Sequence, residues 1–182
     1  MLVTNGVRLA WLTAIGLLVV CSLAAQAVPI PPHNRADLRE APPRPPSDQR
    51  LQELGRTLFA AIAEDAPVQA DVIFFPRDAF LLVKAIADPG RYWEQLHARF
   101  ASDIHALHRQ LSDPEHAQYD RLDLATRGGF VRAGEEGNRL PYWASRHSWL
   151  YYREHAASRR LEVRVLITWD DRWYVIHLSE FH

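Results

Sequence analysis

The sequence predicts an α+β fold, with two or three helices packed on a curved antiparallel sheet of four to five strands. Three observations carry this. Apolar residues recur at helical spacing up to about residue 111, β-branched and aromatic runs dominate after Tyr119, and turn-like segments cut that second half into hairpin lengths. Helices first and strands afterwards leave the strands to pair with their sequence neighbours, which puts the helices on one face of an antiparallel sheet. With 48% hydrophobic and 10% aromatic residues, the chain has the means to bury an ordinary core.

The first helix is expected from Ser47, an N-cap type, with Asp48 in the first turn; Leu51, Leu54, Leu58, Phe59 and Ile62 then line one face to about Ala63. Asp71-Val72-Ile73-Phe74-Phe75, closed by Pro76, reads as a small strand, and a short helix is expected over Asp78 to Ala85. Asp88-Pro89 is a cap followed by proline at the first helical position. From there Trp93, Leu96, Phe100, Ile104, Leu107 and Leu111 form one apolar stripe, ended by Asp113-Pro114. Strands are expected over Leu122 to Val131, Pro141 to Arg153, Arg159 to Trp169 and Trp173 to Leu178. The turns between them are Gly134 to Asn138, Ala156 to Ser158 and Asp170-Asp171, and Gly128-Gly129 marks a bulge or bend.

Upstream of this domain, residues 1–27 have the order of a secretory signal: a short start with Arg8, an apolar run from Leu9 to Leu23, and the small–x–small exit Ala25-Gln26-Ala27. The run is about 15 residues, short of the roughly 20 that span a bilayer. Ala24 to Ile30 could lengthen it, so the alternative is a membrane anchor over residues 9–30. Cys21 is preceded by Val20, where a lipid-attachment cysteine would have a small residue. The expectation is an exported protein, periplasmic or secreted, that touches a membrane only through this segment if it is uncleaved. Cys21 is the only cysteine, so the rest of the chain must hold together without disulfides.

Seven of the twelve prolines lie between Pro29 and Pro46, which makes residues 28–46 an expected disordered, proline-rich tether ahead of a single domain over 47–182. A formal net charge of −1 supplies no basic field and argues against nucleic acid as partner.

Val165-Leu166-Ile167-Thr168-Trp169-Asp170-Asp171-Arg172-Trp173-Tyr174-Val175-Ile176-His177-Leu178, following a long helix, resembles the closing hairpin of the NTF2-like (cystatin-like) cone-shaped α+β domains. The likeness covers about Ser47 to Leu178 in element order, and the residue match is confined to that hairpin. It implies a sheet wrapped around helices with a pocket between them. It implies no particular chemistry, because such folds host many functions.

The hairpin also yields a site. If Asp170-Asp171 is a two-residue turn, Arg164 lies opposite His177 and Glu162 opposite Ser179. Alternation then gathers Glu162, Arg164, Leu166 and Thr168 with Trp173, Val175 and His177 on one mixed face. There Arg164 would bind an anion and His177 exchange a proton, with Trp173 and His147 as further ligand-binding candidates. Candidate catalytic groups are His177, Glu162 and Asp78, the last a general base with Arg77 or Lys84, the sole lysine, holding an anionic substrate.

His105 and His108 are three apart and could share a metal with Asp113 or Glu115, but no HExxH pattern is present and no metal is expected. No Gly-x-Ser-x-Gly elbow or glycine-rich phosphate loop occurs, and no cofactor is expected. Tyr142, Trp143, Trp149, Tyr151 and Tyr152 place large rings on both faces of one strand. This calls for cover on both faces, by helices on one and by a partner or a second copy of the chain on the other. The sequence therefore favours a non-catalytic exported module that binds a small-molecule ligand or an envelope protein. The alternative is a small hydrolase or isomerase-like enzyme with an acid/base histidine.

Overall fold

The computed structural model describes residues 28–179; the signal or anchor expected within residues 1–30 lies almost wholly outside the described residues. Helix α1 spans Gln49–Ala63 and is capped by Asp48, not Ser47: the Asp48 carboxylate accepts the Leu51 backbone N–H at 3.2 Å. Leu51, Leu54, Leu58, Phe59 and Ile62 are buried along its inner face. Helix α2 is Arg77–Val83, and α3 is Pro89–His108, with the Asp88 carboxylate accepting from Arg91 N–H. Leu96, Phe100 and Ile104 carry the buried stripe of α3; Leu111 stays buried although the helix ends three residues before it.

The small strand expected over residues 71–75 does not form. Pro67–Ile73 is a 3-10 helix instead, and only Phe74 bridges Val175, with Phe75 N–H donating to the Val175 carbonyl at 3.0 Å. Pro67 starts a 3-10 helix that runs to Ile73 and Pro76 stops any ladder, which leaves only Phe74 and Phe75 free to pair.

The sheet has five antiparallel strands: β1 Gln118–Asp123, β2 Gly128–Val131, β3 Tyr142–Glu154, β4 Ala157–Trp169 and β5 Arg172–His177. Their order is β1-β3-β4-β5, with β2 pairing the first half of β3 and β1 the second. The single strand expected over residues 122–131 is thus two strands, broken at residues 124–127. Gly128 is the reason β2 can join: its φ is +124°, and a Cβ there would sit 2.3 Å from the Ala144 carbonyl oxygen.

Helices and sheet meet over Leu122, Leu150, Leu161 and Val163, with Phe75, Phe80 and Phe100 filling the space between. Phe75 packs edge-on against Trp169 and Tyr174.

The proline-rich segment opens with a 3-10 turn at Pro32–Asn34 and runs on without strand pairing, and the expected free spacer is corrected: it lies against the sheet. Asn34 is buried, donates to the Pro141 carbonyl at 2.8 Å and accepts from Asp170 N–H at 3.1 Å. His33 pairs with Asp171 at the β4–β5 turn. Trp143 Nε1 donates to the Pro42 carbonyl at 3.0 Å, and Trp173 Nε1 to the Pro45 carbonyl at 3.3 Å. Proline lacks an N–H but keeps its carbonyl, so a proline segment is held by donors from the surface beneath it.

Candidate functional site

The turn Asp170-Asp171 has two residues, both at positive φ (50° and 57°), the pattern of a type I′ hairpin. Trp169 pairs with Arg172, Thr168 with Trp173, Ile167 with Tyr174 and Leu166 with Val175, as the two-residue turn requires. Then the ladder slips: Val165 pairs with His177, and Ile176 is the extra residue of a bulge.

One inserted residue reverses every side chain beyond it. His177 therefore leaves the face of Glu162 and Arg164 and joins that of Val165 and Ile167. The expected pairings of Arg164 with His177 and of Glu162 with Ser179 are corrected accordingly.

The bulge delivers His177 into a cavity of about 90 Å³ between α2, α3, the 132–141 loop and the sheet. Phe80, Leu96, Val165, Ile167 and Ile176 form its apolar walls; Lys84, Glu136, Arg146, His177, Tyr92 and Tyr142 bring the polar atoms. Arg146 is the partner of Val165 on β3, so Arg146, Val165 and His177 form one row across three strands. Lys84 ends α2, where its carbonyl accepts from Arg139 Nε at 3.0 Å and Nη2 at 2.6 Å, and Ala85 N–H donates to the Gly137 carbonyl at 2.8 Å. These bonds lock the loop that carries Glu136 against the end of α2.

Glu136 holds Arg146 at 2.6 Å and accepts from the Tyr142 hydroxyl at 3.4 Å; that hydroxyl accepts from Asn138 Nδ2 at 2.9 Å. The Asn138 side-chain oxygen is buried without a hydrogen-bond partner.

Electrostatics set the character of the site. Burial, then Lys84, Arg99 and Arg146, push His177 down to about 4, so it is neutral at pH 7. Burial also lowers Lys84, against the pull of Glu136, and pushes the Tyr142 hydroxyl up to about 12. Two cationic groups, Lys84 and Arg146, thus share one carboxylate, Glu136. The surplus is positive, and the neutral imidazole adds a donor.

The remaining site residues lie elsewhere. His147, Glu162 and Arg164 meet on the opposite face: His147 Nδ1 to Glu162 Oε1 is 2.5 Å, and Arg164 Nη1 reaches that oxygen at 3.3 Å. His147 adopts φ +64° within β3, a conformation uncommon for a residue with a Cβ. All three are about a quarter to a third exposed, and none of them lines the His177 cavity.

Trp173 is buried beneath Pro45. Asp78 is exposed in the first turn of α2, outside the lining of the His177 cavity. His105 pairs with Asp65 at 2.6 Å and His108 Nδ1 with the Ile62 carbonyl at 2.9 Å, so each is a clip between α3 and the end of α1. Among the described residues no three His, Cys, Asp or Glu groups stand close enough to hold a metal ion. A second hollow of about 200 Å³ lies by the start of α1 and the β4–β5 turn; its charges are mixed, and Asp48 there is already spent as the helix cap.

Sequence reasoning missed Arg146, Glu136 and Tyr142. Their only signal was an acidic turn beside an aromatic strand, and their meeting with Lys84 depends on a loop folding back more than 50 residues along the chain.

No family model, curated protein or solved structure matches the chain.

Proposed function

We propose that the protein is an exported, non-catalytic module that binds a small anionic ligand in the cavity around Lys84, Arg146 and His177. One observation carries the reading: a half-buried lysine, an arginine and a neutral histidine converge on one small apolar-walled space with a single carboxylate among them. A desolvated cation gains most from an anion that replaces its lost water. At about 90 Å³ the space suits a phosphate-sized or short-chain carboxylate group, with any larger remainder of the ligand outside the mouth. The cavity's position between helices and sheet agrees with the pocket of a cone-shaped NTF2-like domain, a likeness resting on element order and the final hairpin. Export rests on the sequence of residues 1–27.

The acid/base partners expected of an enzyme, Glu162 and Asp78, do not line the His177 cavity, and the carboxylate that does, Glu136, is held by Arg146 at 2.6 Å. Binding is thus the better supported of the two readings.

Titration calorimetry with inorganic phosphate, acetate and butyrate tests this. One of these should bind the full chain, and Lys84→Met should weaken it about tenfold or more, the scale of a lost charge-assisted hydrogen bond. His177→Gln, which keeps shape and a donor, should stay within about threefold of the parent. Equal affinity of the parent and Lys84→Met for every probe would remove the proposal.

A further inference from the structure

We propose that the outer face of the sheet, the side away from the His177 cavity, is a polyproline recognition groove. The chain's own residues 42–46 occupy it, and a partner chain carrying the same Pro-Pro-Arg-Pro-Pro chemistry takes it in their place. What supports this is a match of spacings.

Thr168 is the Cα partner of Trp173, and its hydroxyl accepts the Trp143 backbone N–H at 3.0 Å, so Trp143, Thr168 and Trp173 form one row across β3, β4 and β5. The two tryptophans are thus two strand spacings apart, ~9.5 Å. A polyproline II helix advances ~9.3 Å in three residues, one full turn. The two indole N–H groups donate to the carbonyls of Pro42 and Pro45, one turn apart in such a helix.

The composition of the segment favours the conformation this needs. Pro42, Pro43, Pro45 and Pro46 fix their own φ, and each residue that precedes a proline is pushed to extended ψ. Arg44, the one non-proline, reads the groove sideways: its Nη2 donates to the Ala125 carbonyl at 2.9 Å, and its guanidinium lies 5.4 Å from the centre of the Trp173 ring. Phe130 packs on Trp143 at 5.5 Å and extends the aromatic floor.

Two features separate this from a segment that is simply part of the core. Its contacts are those by which aromatic grooves bind proline-rich peptides: indole donors to carbonyls, ring faces, and one arginine, with no strand ladder. Pro43 and Pro46 are exposed while Pro45 is buried, so the segment sits in the groove with one side in contact and the other open to solvent. A stiff polyproline segment also loses little entropy on binding, which makes exchange for an equivalent one inexpensive. Tethering gives the chain's own copy an effective concentration in the millimolar range, so the groove is guarded in cis.

The test follows the indole Nε1–H resonances of the ¹⁵N-labelled full chain, assigned through Trp143→Phe and Trp173→Phe. The probe is a synthetic peptide with the sequence of residues 40–47. The double variant Pro43→Gly with Pro46→Gly loosens the segment while keeping both carbonyl acceptors, and Arg44→Ala is a second way to loosen it. Expected are saturable shifts of both indole signals in a loosened variant, at least about tenfold weaker binding to the parent chain, and no shift with a peptide whose prolines are alanine. A folded loosened variant whose indoles ignore the peptide would overturn the proposal. So would loss of the folded spectrum in both loosened variants, since the segment would then be integral to the fold. A concentration-dependent dimer without peptide would overturn it too, by making a second copy the occupant.

Discussion

The two faces of this sheet are covered by different means. The inner face is buried by α1, α2 and α3, whose apolar stripes bring Phe80, Leu96, Phe100 and Ile104 onto it and leave a small charged cavity at one end. On the outer face Leu166 and Val175 are fully buried, and Leu51 and Leu54 of α1 line a hollow with Trp173. At one end the proline segment covers Trp143 and Trp173; at the other, Arg160 and Arg121 lie over Trp149 and Tyr151, 4.0 and 3.9 Å from their ring centres. The inner cover is driven by area removed from water, and the outer adds a few directional contacts to its aromatic rings. The lesson is that prolines and guanidinium groups can complete the cover of a sheet face by capping its aromatic rings.

The widest separation between the faces should appear on truncation. Phe80→Ala, at a fully buried inner position, should cost about 3–5 kcal/mol in urea unfolding. The sheet on which both faces depend should break at Gly128→Ala, which needs both a strained φ and a 2.3 Å overlap; about 2–4 kcal/mol is expected, with loss of amide protection in β2.

Next comes pH. His177 holds its proton only below about 4 in the folded chain and near its ordinary 6.5 when unfolded. The unfolded state therefore binds more protons between these values. Its contribution is complete above about pH 6.5 and is lost as pH falls towards 4, on the order of 2 kcal/mol after discounting for the cavity's open mouth. His177→Gln should flatten that part of the stability–pH curve; an unchanged slope would place His177 outside the cavity.

On the outer face the effects shrink. Trp143→Phe keeps the ring and loses one indole bond, so about 1 kcal/mol is expected, with faster hydrogen exchange in residues 33–41. Glu162→Gln, in a half-exposed cluster, should cost about 0.5 kcal/mol or less by chemical denaturation. A cost above about 2 kcal/mol would mean that the outer cluster matters as much as the cavity.

Much of the fold was legible. The stripe from Leu96 to Ile104, the Asp88-Pro89 helix start and the strands ending at Glu154 and Trp169 depend on neighbours within a few residues and lie close to where their patterns predicted. The run over 122–131, by contrast, splits in two, and the turn expected at Ala156 to Ser158 falls at residues 155–156. The Asp170-Asp171 turn was legible too, because two short carboxylates tolerate positive φ. The site was legible only in part. His177 was identified, but with the wrong companions, because a bulge leaves no mark in an alternating run such as Tyr174-Val175-Ile176-His177. The segment at residues 71–75 failed for a related reason: its β-prone composition says nothing of whether an edge is free to pair with it.

By itself, then, the sequence determined the class of the fold, the capped helices and the hairpin turn. All of these follow from φ restriction, capping and periodicity over less than a dozen residues. Only the tertiary structure decided which face His177 occupies, that Lys84 meets Arg146 and Glu136, and that the prolines lie on two tryptophans. Each of these depends on contacts between residues tens of positions apart, where a shift of one residue in register exchanges one set of neighbours for another.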